Sequence, residues 1–192
     1  MKLYSLIAEA LFILTMVFCV LALWRQPLRP VVRHGFIVVL LAMALTALLG
    51  VAIYAHLLMQ EAFYGQLMFV AKRLAMVLLV ALVAWQFNVR QQSSRYLILV
   101  LAGLGMANLV LATPMLSEAV SMLLMALVGK QMLNYPRMWR FYLTVLALGV
   151  MTMLPLLPGL SGDQQSSLFH LSLALLICCL TLLLRGYRTS LD

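Results

Sequence analysis

Residues 3–24 read LYSLIAEALFILTMVFCVLALW, a run in which Glu9 is the only charged side chain. The hydrocarbon core of a bilayer is about 30 Å thick, and an α-helix needs about 20 predominantly apolar residues to cross it. A secretory signal peptide has a shorter apolar core and a small-residue cleavage site, which this run lacks. The stretch therefore predicts a retained transmembrane helix.

The composition of the whole chain indicates the same environment. Of 192 residues, 66% are hydrophobic and 9% are charged, and the mean hydropathy is +1.09. A soluble domain is about 25% charged, because polar side chains must cover its surface. The net charge of +8 does not indicate nucleic acid as a partner, because the basic residues occur in small groups between apolar runs rather than on one face. The composition thus predicts an all-α, polytopic membrane bundle.

The breaks between apolar runs are short clusters of Arg, Pro, Asn and Gly, and none indicates a second domain. Residues 1–192 are therefore predicted to form one transmembrane domain of seven helices. The predicted spans cover residues 3–24, 36–58, 66–87, 96–113, 115–133, 139–157 and 168–185.

Basic residues test this count independently, because Lys and Arg near helix ends accumulate on the cytoplasmic side. With the N-terminus outside, ten of the thirteen basic residues are cytoplasmic, and the outer breaks hold none. The ten are Arg25, Arg29, Arg33, Arg90, Arg95, Lys130, Arg137, Arg140, Arg185 and Arg188. Reading residues 96–133 as one broken helix at Thr113–Pro114 would move Lys130 and two arginines outside. The charge pattern therefore favours seven spans with a cytoplasmic C-terminus.

Small residues predict where helices approach each other closely, because packing in lipid depends on them. Gly103 and Ala107 stand four residues apart in the fourth span, and Thr46 and Gly50 stand four apart in the second. Both faces are expected to be interhelical, and Gly105 lies beside the first of them.

Glu9, Lys72 and Arg73 are charged residues that lie at least six residues inside predicted spans, where charge is costly and by default marks function. Glu9 lies about six residues into the first span, and Lys72 and Arg73 lie six or seven into the third. At 1.5 Å per residue, all three lie about 10 Å below the outer boundary. Pairing of Glu9 with Lys72 or Arg73 would lower the cost. In the alternative, residues 59–73 form an outer amphipathic loop, the third span begins at Leu74, and the cations reach the headgroups.

Two histidines lie at matching depth on the outer side. His56 is near the outer end of the second span, and His170 is near the start of the seventh. A pair of imidazoles at one level could ligate a haem b, although a histidine near a helix end is more often a hydrogen-bonded interfacial residue. The cysteines, Cys19, Cys178 and Cys179, have no metal-ligand spacing and are expected to be small buried hydrophobic residues.

These polar residues share the outer half of the bundle, so the binding site is expected there. The candidate ligand-binding residues are Glu9, Tyr54, His56, Lys72, Arg73, Glu118 and His170. No zinc-hydrolase, serine-hydrolase or retinal-protein pattern is visible, so an enzyme is not favoured.

Three functions remain open at this point. The preferred hypothesis is a non-enzymatic membrane module, a sensor-type input or a subunit of a membrane complex, that binds a ligand, membrane lipid or partner membrane protein on its outer side. The alternatives are an oxidoreductase subunit that binds haem b or quinone through His56 and His170, and a small-solute transporter. The expected location is the bacterial inner membrane.

Overall fold

The computed structural model describes residues 3–26, 28–55, 61–87, 103, 106–107, 110, 119, 122–124, 126, 128–130, 139–153 and 159–188. Every regular element among these residues is helical, which confirms the all-α class. Helices with defined ends are α1 (Leu3–Trp24), α2 (Pro30–Tyr54), α3 (Glu61–Phe87), α4 (Trp139–Met153) and α5 (Gly162–Arg188).

Three of these helices are long and apolar enough to cross a membrane, over Leu6–Trp24, Pro30–Ile53 and Gln164–Arg185. The apolar stretches of α3 and α4, Leu74–Phe87 and Trp139–Met153, are shorter. Large apolar side chains cover the outside of the described helices, and on α1 alone Leu14, Phe18 and Leu21 are 64–65% exposed. Such a surface suits lipid rather than water. The chain is therefore described as a helical membrane protein.

The predicted spans 96–113 and 115–133 fall on a stretch of which only single residues and short runs are described. Those described residues are helical, and Leu124 and Val128 are fully buried in the core. The count of seven spans therefore stays a prediction.

The helix ends differ from the predicted spans where polar residues continue a helix. The bounds of α1 match the predicted span 3–24. In contrast, α2 begins at Pro30 rather than at residue 36, and α5 begins at Gly162 rather than at residue 168. Proline is favoured in the first turn of a helix, where its missing N–H costs nothing. Hydropathy detects only the apolar part of a helix, so polar terminal turns are missed.

Helices α1 and α5 pack side by side and run parallel. Glu9 of α1 contacts His170 of α5, and Cys19 of α1 contacts Thr181 of α5. From the first contact to the second, both helices advance in the same chain direction by nearly equal numbers of residues. The start of α1 and the end of α5 therefore lie at opposite ends of the bundle.

The other described helices alternate in direction. α2 packs on α1 and α3, and α4 packs on α5. The ring centroids of Phe87, at the end of α3, and Phe141, at the start of α4, are 5.9 Å apart. The end of α3 and the start of α4 therefore lie at the same end of the bundle.

That end also holds the start of α2 and the ends of α1 and α5, and we call it the basic end. Its described basic residues are Arg25, Arg29, Arg33, Arg140 and Arg185. The Arg29 Nη1 donates a hydrogen bond of 3.2 Å to the backbone carbonyl of Trp85. The last turn of α3 has no basic residue of its own, so Arg29 provides positive charge where the helix dipole is negative.

A side chain of a neighbouring helix packs closely against a glycine at a position other than the predicted one. A Cβ added to Gly35 of α2 would lie 2.5 Å from Cδ2 of Leu82 in α3. Thr46 and Gly50 are buried, as predicted. Gly103 is exposed, and a Cβ there would meet no atom within 4 Å. The interhelical prediction is therefore wrong for Gly103, because a small residue allows a close approach without requiring one; Gly105 lies outside the described residues.

Several hydroxyl groups within the described helices donate hydrogen bonds to the backbone of their own helix, which gives them a partner away from water. Each donates to the carbonyl three or four residues earlier: Thr15 to Leu11, Thr46 to Ala42, Thr144 to Arg140, and Ser172 to Phe169.

A reciprocal cap sets the start of α5. The Ser161 hydroxyl accepts a hydrogen bond from the Gln164 backbone N–H, and Gln164 Oε1 accepts one from the Ser161 backbone N–H. This is the capping-box arrangement of a helix N-terminus. Just before it, Gly159 has a φ of 83°, a left-handed conformation that favours glycine.

We expect Ser161→Ala to lower the free energy of unfolding by about 1 kcal/mol, because the Gln164 backbone N–H at the start of α5 loses its side-chain partner. Unfolding in mixed detergent micelles measures this. Ser166→Ala, at an exposed position in the same helix, is the matched control and should change stability by less than about 0.5 kcal/mol. Equal effects of the two variants would show that the cap contributes nothing.

Candidate functional site

Glu9 and His170 form a buried acid–base pair between α1 and α5. Glu9 Oε1 lies 2.7 Å from His170 Nδ1. The Glu9 side chain is 15% exposed and the His170 side chain 11% exposed. The sequence placed both residues in the outer half of the bundle, and the structure brings them into contact.

The periodicity of α1 explains the position of Glu9. The buried residues of α1 recur every three or four positions and form one stripe, whereas most of the helix is exposed. The stripe consists of Ala8, Phe12, Met16, Cys19 and Leu23. Glu9 adjoins this stripe, at the edge between the α5 contact and the lipid-facing surface. Its apolar surroundings make a charged side chain there costly unless it is paired.

The hydrogen bonding of the Glu9–His170 pair is incomplete. The contact between Oε1 and Nδ1 has the distance of an ion pair, but Nδ1 lacks a hydrogen bond of good geometry. The second carboxylate oxygen, Glu9 Oε2, is buried and has no hydrogen-bond partner among the described residues. Buried polar atoms usually have a partner, so Oε2 marks a site that accepts one more donor.

Aromatic rings enclose the imidazole. The ring centroid of Phe12 lies 5.3 Å from that of His170, with the planes tilted by 35°. The Phe169 ring centroid lies 5.9 Å from it. These rings restrict the imidazole, as packing does for side chains in a dense core, and they exclude water from the faces of the pair.

The pair lies at the end of the bundle opposite the basic end. Glu9 is six residues from the start of α1 and His170 is eight from the start of α5. At 1.5 Å per residue, these positions are about 9 Å and 12 Å along their helices. The sequence predicted matching depth for Glu9 with Lys72 and Arg73, and for His56 with His170; the contact brings one residue from each of these groups together.

The other candidate residues are placed only in part. Lys72 and Arg73 belong to α3, and Tyr54 ends α2; their side chains, like the residues His56 and Glu118, lie outside what the structure describes. The predicted pairing of Glu9 with Lys72 or Arg73 therefore stays a prediction.

The described residues bear on two parts of this prediction, the partner of Glu9 and the structure of residues 61–73. The partner of Oε1 is His170, and no contact between α1 and α3 occurs among the described residues. The alternative of an outer loop over residues 59–73 is wrong for 61–73, which are helical.

A second group of reactive side chains lies farther along the same interface. Cys19 contacts Cys178 and Thr181, and all three described cysteines are free thiols. Cys19 and Cys179 are buried, as predicted, and Cys178 is partly buried. The sequence contains a signal for this contact that is visible only in retrospect, because Cys19 follows Glu9 at almost the interval by which Thr181 follows His170.

The described residues also bear on cofactors and relatives. Among them, no group of three or more His, Cys, Asp or Glu side chains could hold a metal ion. The binding of haem b through His56 and His170 stays a prediction, since His56 lies outside the described residues.

Comparison with protein-family models, with curated proteins and with solved structures gives no match.

Proposed function

We propose that the chain is a non-enzymatic module of the bacterial inner membrane with seven spans, an outer N-terminus and a cytoplasmic C-terminus. It binds a membrane-dissolved ligand, a lipid or a partner membrane protein on its outer side. The site is centred on Glu9 and His170, between the first and last helices.

The buried Glu9–His170 pair is the observation that carries this proposal. A charged residue in the centre of a membrane helix costs about 2.5–3.5 kcal/mol on insertion scales. A well-packed apolar pair in the same place is often at least as stable as a buried ion pair. Stability alone therefore does not require Glu9 and His170, and their cost is explained by a task in binding.

The basic residues support the orientation, and the packing of α1 and α5 supports the number of spans. Basic residues accumulate on the cytoplasmic side, and the described basic end holds Arg25, Arg29, Arg33, Arg140 and Arg185. The parallel packing of α1 and α5 implies an odd number of spans if both helices cross the membrane, which agrees with seven. With the basic end in the cytoplasm, the Glu9–His170 pair belongs to the outer half.

Reporter fusions test the topology directly. Fusions after Leu58 and after Ser161 are expected to be active outside the cell, and fusions after Gln92 and after Arg188 in the cytoplasm. An external signal from the fusion after Arg188 would mean an even number of spans, or an inverted chain, and would overturn the assignment of the site to the outer half.

Native mass spectrometry of the protein purified in mild detergent tests the binding function. We expect a bound small molecule, lipid or partner that is retained by the wild type and lost from a variant with both Glu9→Met and His170→Phe. The double change removes both polar groups together, so neither is left unpaired.

Thr181→Val is the matched control for this experiment. It removes a buried hydroxyl from the same α1–α5 interface, about eleven residues from the pair, and should retain the bound molecule. Equal retention by the wild type and the double variant would refute the assignment of the site to Glu9 and His170.

One observation favours a second candidate, the oxidoreductase subunit. A carboxylate at one nitrogen of an imidazole orients the other nitrogen toward a metal, as second-shell carboxylates do in metal sites. Here Glu9 lies at Nδ1 of His170, so Nε2 is the nitrogen available to a haem iron. A reduced haem band in the visible spectrum after addition of dithionite would favour this candidate over the module.

A further inference from the structure

The second oxygen of the Glu9 carboxylate indicates which kind of molecule the site binds, if the proposed binding function is correct. Oε2 is buried without a hydrogen-bond partner among the described residues, although Oε1 of the same group contacts His170. An unpaired buried polar atom lowers the stability of the folded protein, because it has lost its hydrogen bonds to water. A ligand that supplies a donor to Oε2 removes this cost.

The net charge of the Glu9–His170 pair decides whether the donor to Oε2 is neutral or cationic. In a low-dielectric site the pair is least costly when its net charge is zero. This holds both for a carboxylate beside an imidazolium and for a carboxylic acid that donates from Oε1 to a neutral imidazole. In each of these forms Oε2 is only an acceptor. A neutral donor therefore completes the site without a change in net charge, whereas a cation would leave it positive unless a proton departed.

The surroundings of Glu9 favour a ligand that arrives through the membrane. Leu6 and Ile13, three residues before and four residues after Glu9, are its neighbours on the same side of α1. Leu6 is 43% exposed on the apolar surface of the bundle, and Ile13 is partly buried. The site lies beside this surface, and the aromatic rings of Phe12 and Phe169 border His170. A molecule with an apolar body and a small donor fits such surroundings.

We propose that Glu9 Oε2 accepts a hydrogen bond from the hydroxyl group of a neutral, membrane-dissolved molecule. Two sources supply this chemistry: the ring hydroxyl of a quinol and the free hydroxyl of a diacylglycerol-type lipid. The proposal concerns binding, and no electron or group transfer is part of it.

Binding of defined probes to the full-length protein in nanodiscs tests the proposal. The probes are tetramethylhydroquinone and dioctanoylglycerol, the methyl ethers of both, and dodecylammonium as the cationic alternative. We expect one of the hydroxyl probes to bind the wild type and the Thr181→Val variant. Its affinity should fall about tenfold or more when the hydroxyl is methylated, because Oε2 loses its donor. The same loss is expected in the Glu9→Met, His170→Phe double variant.

The comparison of probes separates the two sources, and either one supports the proposal. Equal binding of a methyl ether and its parent would overturn it. Binding of dodecylammonium with release of one proton, without binding of either hydroxyl probe, would overturn the neutral donor and leave the outer-side module standing. If no probe binds while the native complex still loses its bound molecule in the double variant, the proposal also fails and the module stands. If no probe binds and the double variant also keeps the native bound molecule, the proposed function fails as well.

Discussion

Glu9→Leu alone is expected to destabilise the protein more than Glu9→Leu combined with His170→Phe. Removing one member of a buried polar pair leaves the other without a partner, which costs about 1–3 kcal/mol, whereas replacing both by apolar residues is often nearly neutral. Glu9 and His170 are each mostly buried and lie 2.7 Å apart, so this coupling applies to them. The measurement is the free energy of unfolding in mixed detergent micelles.

A second set of variants identifies the partner of Glu9. If His170 is the partner, His170→Phe should restore most of the stability lost in Glu9→Leu, while Lys72→Gln and Arg73→Gln should not. Additive losses in the Glu9 and His170 variants would show that the two side chains are energetically independent. If Lys72→Gln or Arg73→Gln restores the stability instead, the result would support the sequence-based prediction that Glu9 pairs with a cation of α3.

Gly35→Leu should produce the largest loss from a single substitution outside the site. Even the first added atom would lie 2.5 Å from Cδ2 of Leu82. The Leu82 side chain must therefore turn away, and the rest of the new side chain must fit into the contact between α2 and α3. Overpacking of this kind costs about 1–3 kcal/mol, occasionally more. Thermal unfolding in detergent, with the yield of folded protein, measures the effect.

Two variants make this prediction specific. Leu82→Ala opens the space that the new side chain needs, so it should recover part of the stability in combination with Gly35→Leu. Gly103→Leu is the matched control, because Gly103 is exposed and has no atom within 4 Å of an added Cβ; its effect should stay within about 0.5 kcal/mol. A greater loss from Gly103→Leu than from Gly35→Leu would reverse this account of helix packing.

The helical, membrane-spanning character of the chain could be predicted from local composition alone. Backbone groups in lipid must be satisfied within their own segment, so an apolar run of sufficient length has the helix as its only open choice. The predicted bounds of the first span therefore match α1. The same reasoning failed at the start of α2, α3 and α5, where polar residues such as Arg33 and Gln164 continue a helix beyond the hydrocarbon region.

Which polar side chains meet could not be predicted in this way. Hydropathy and the rise of a helix gave Glu9, Lys72 and Arg73 similar depths, but depth does not say which helices are neighbours or how each is rotated. The neighbour of each helix and its rotation depend on how whole surfaces fit together. A stripe of small and apolar residues can face either lipid or a helix, as the contrast between Gly103 and Gly35 shows.

The sequence by itself determined that this chain forms apolar helices long enough to cross a membrane, because helix formation by an apolar run depends on residues close together in the chain. Only the tertiary structure decided that α1 and α5 are parallel neighbours and that His170 contacts Glu9. These features depend on side-chain packing between helices more than a hundred residues apart, and no local pattern specifies that packing.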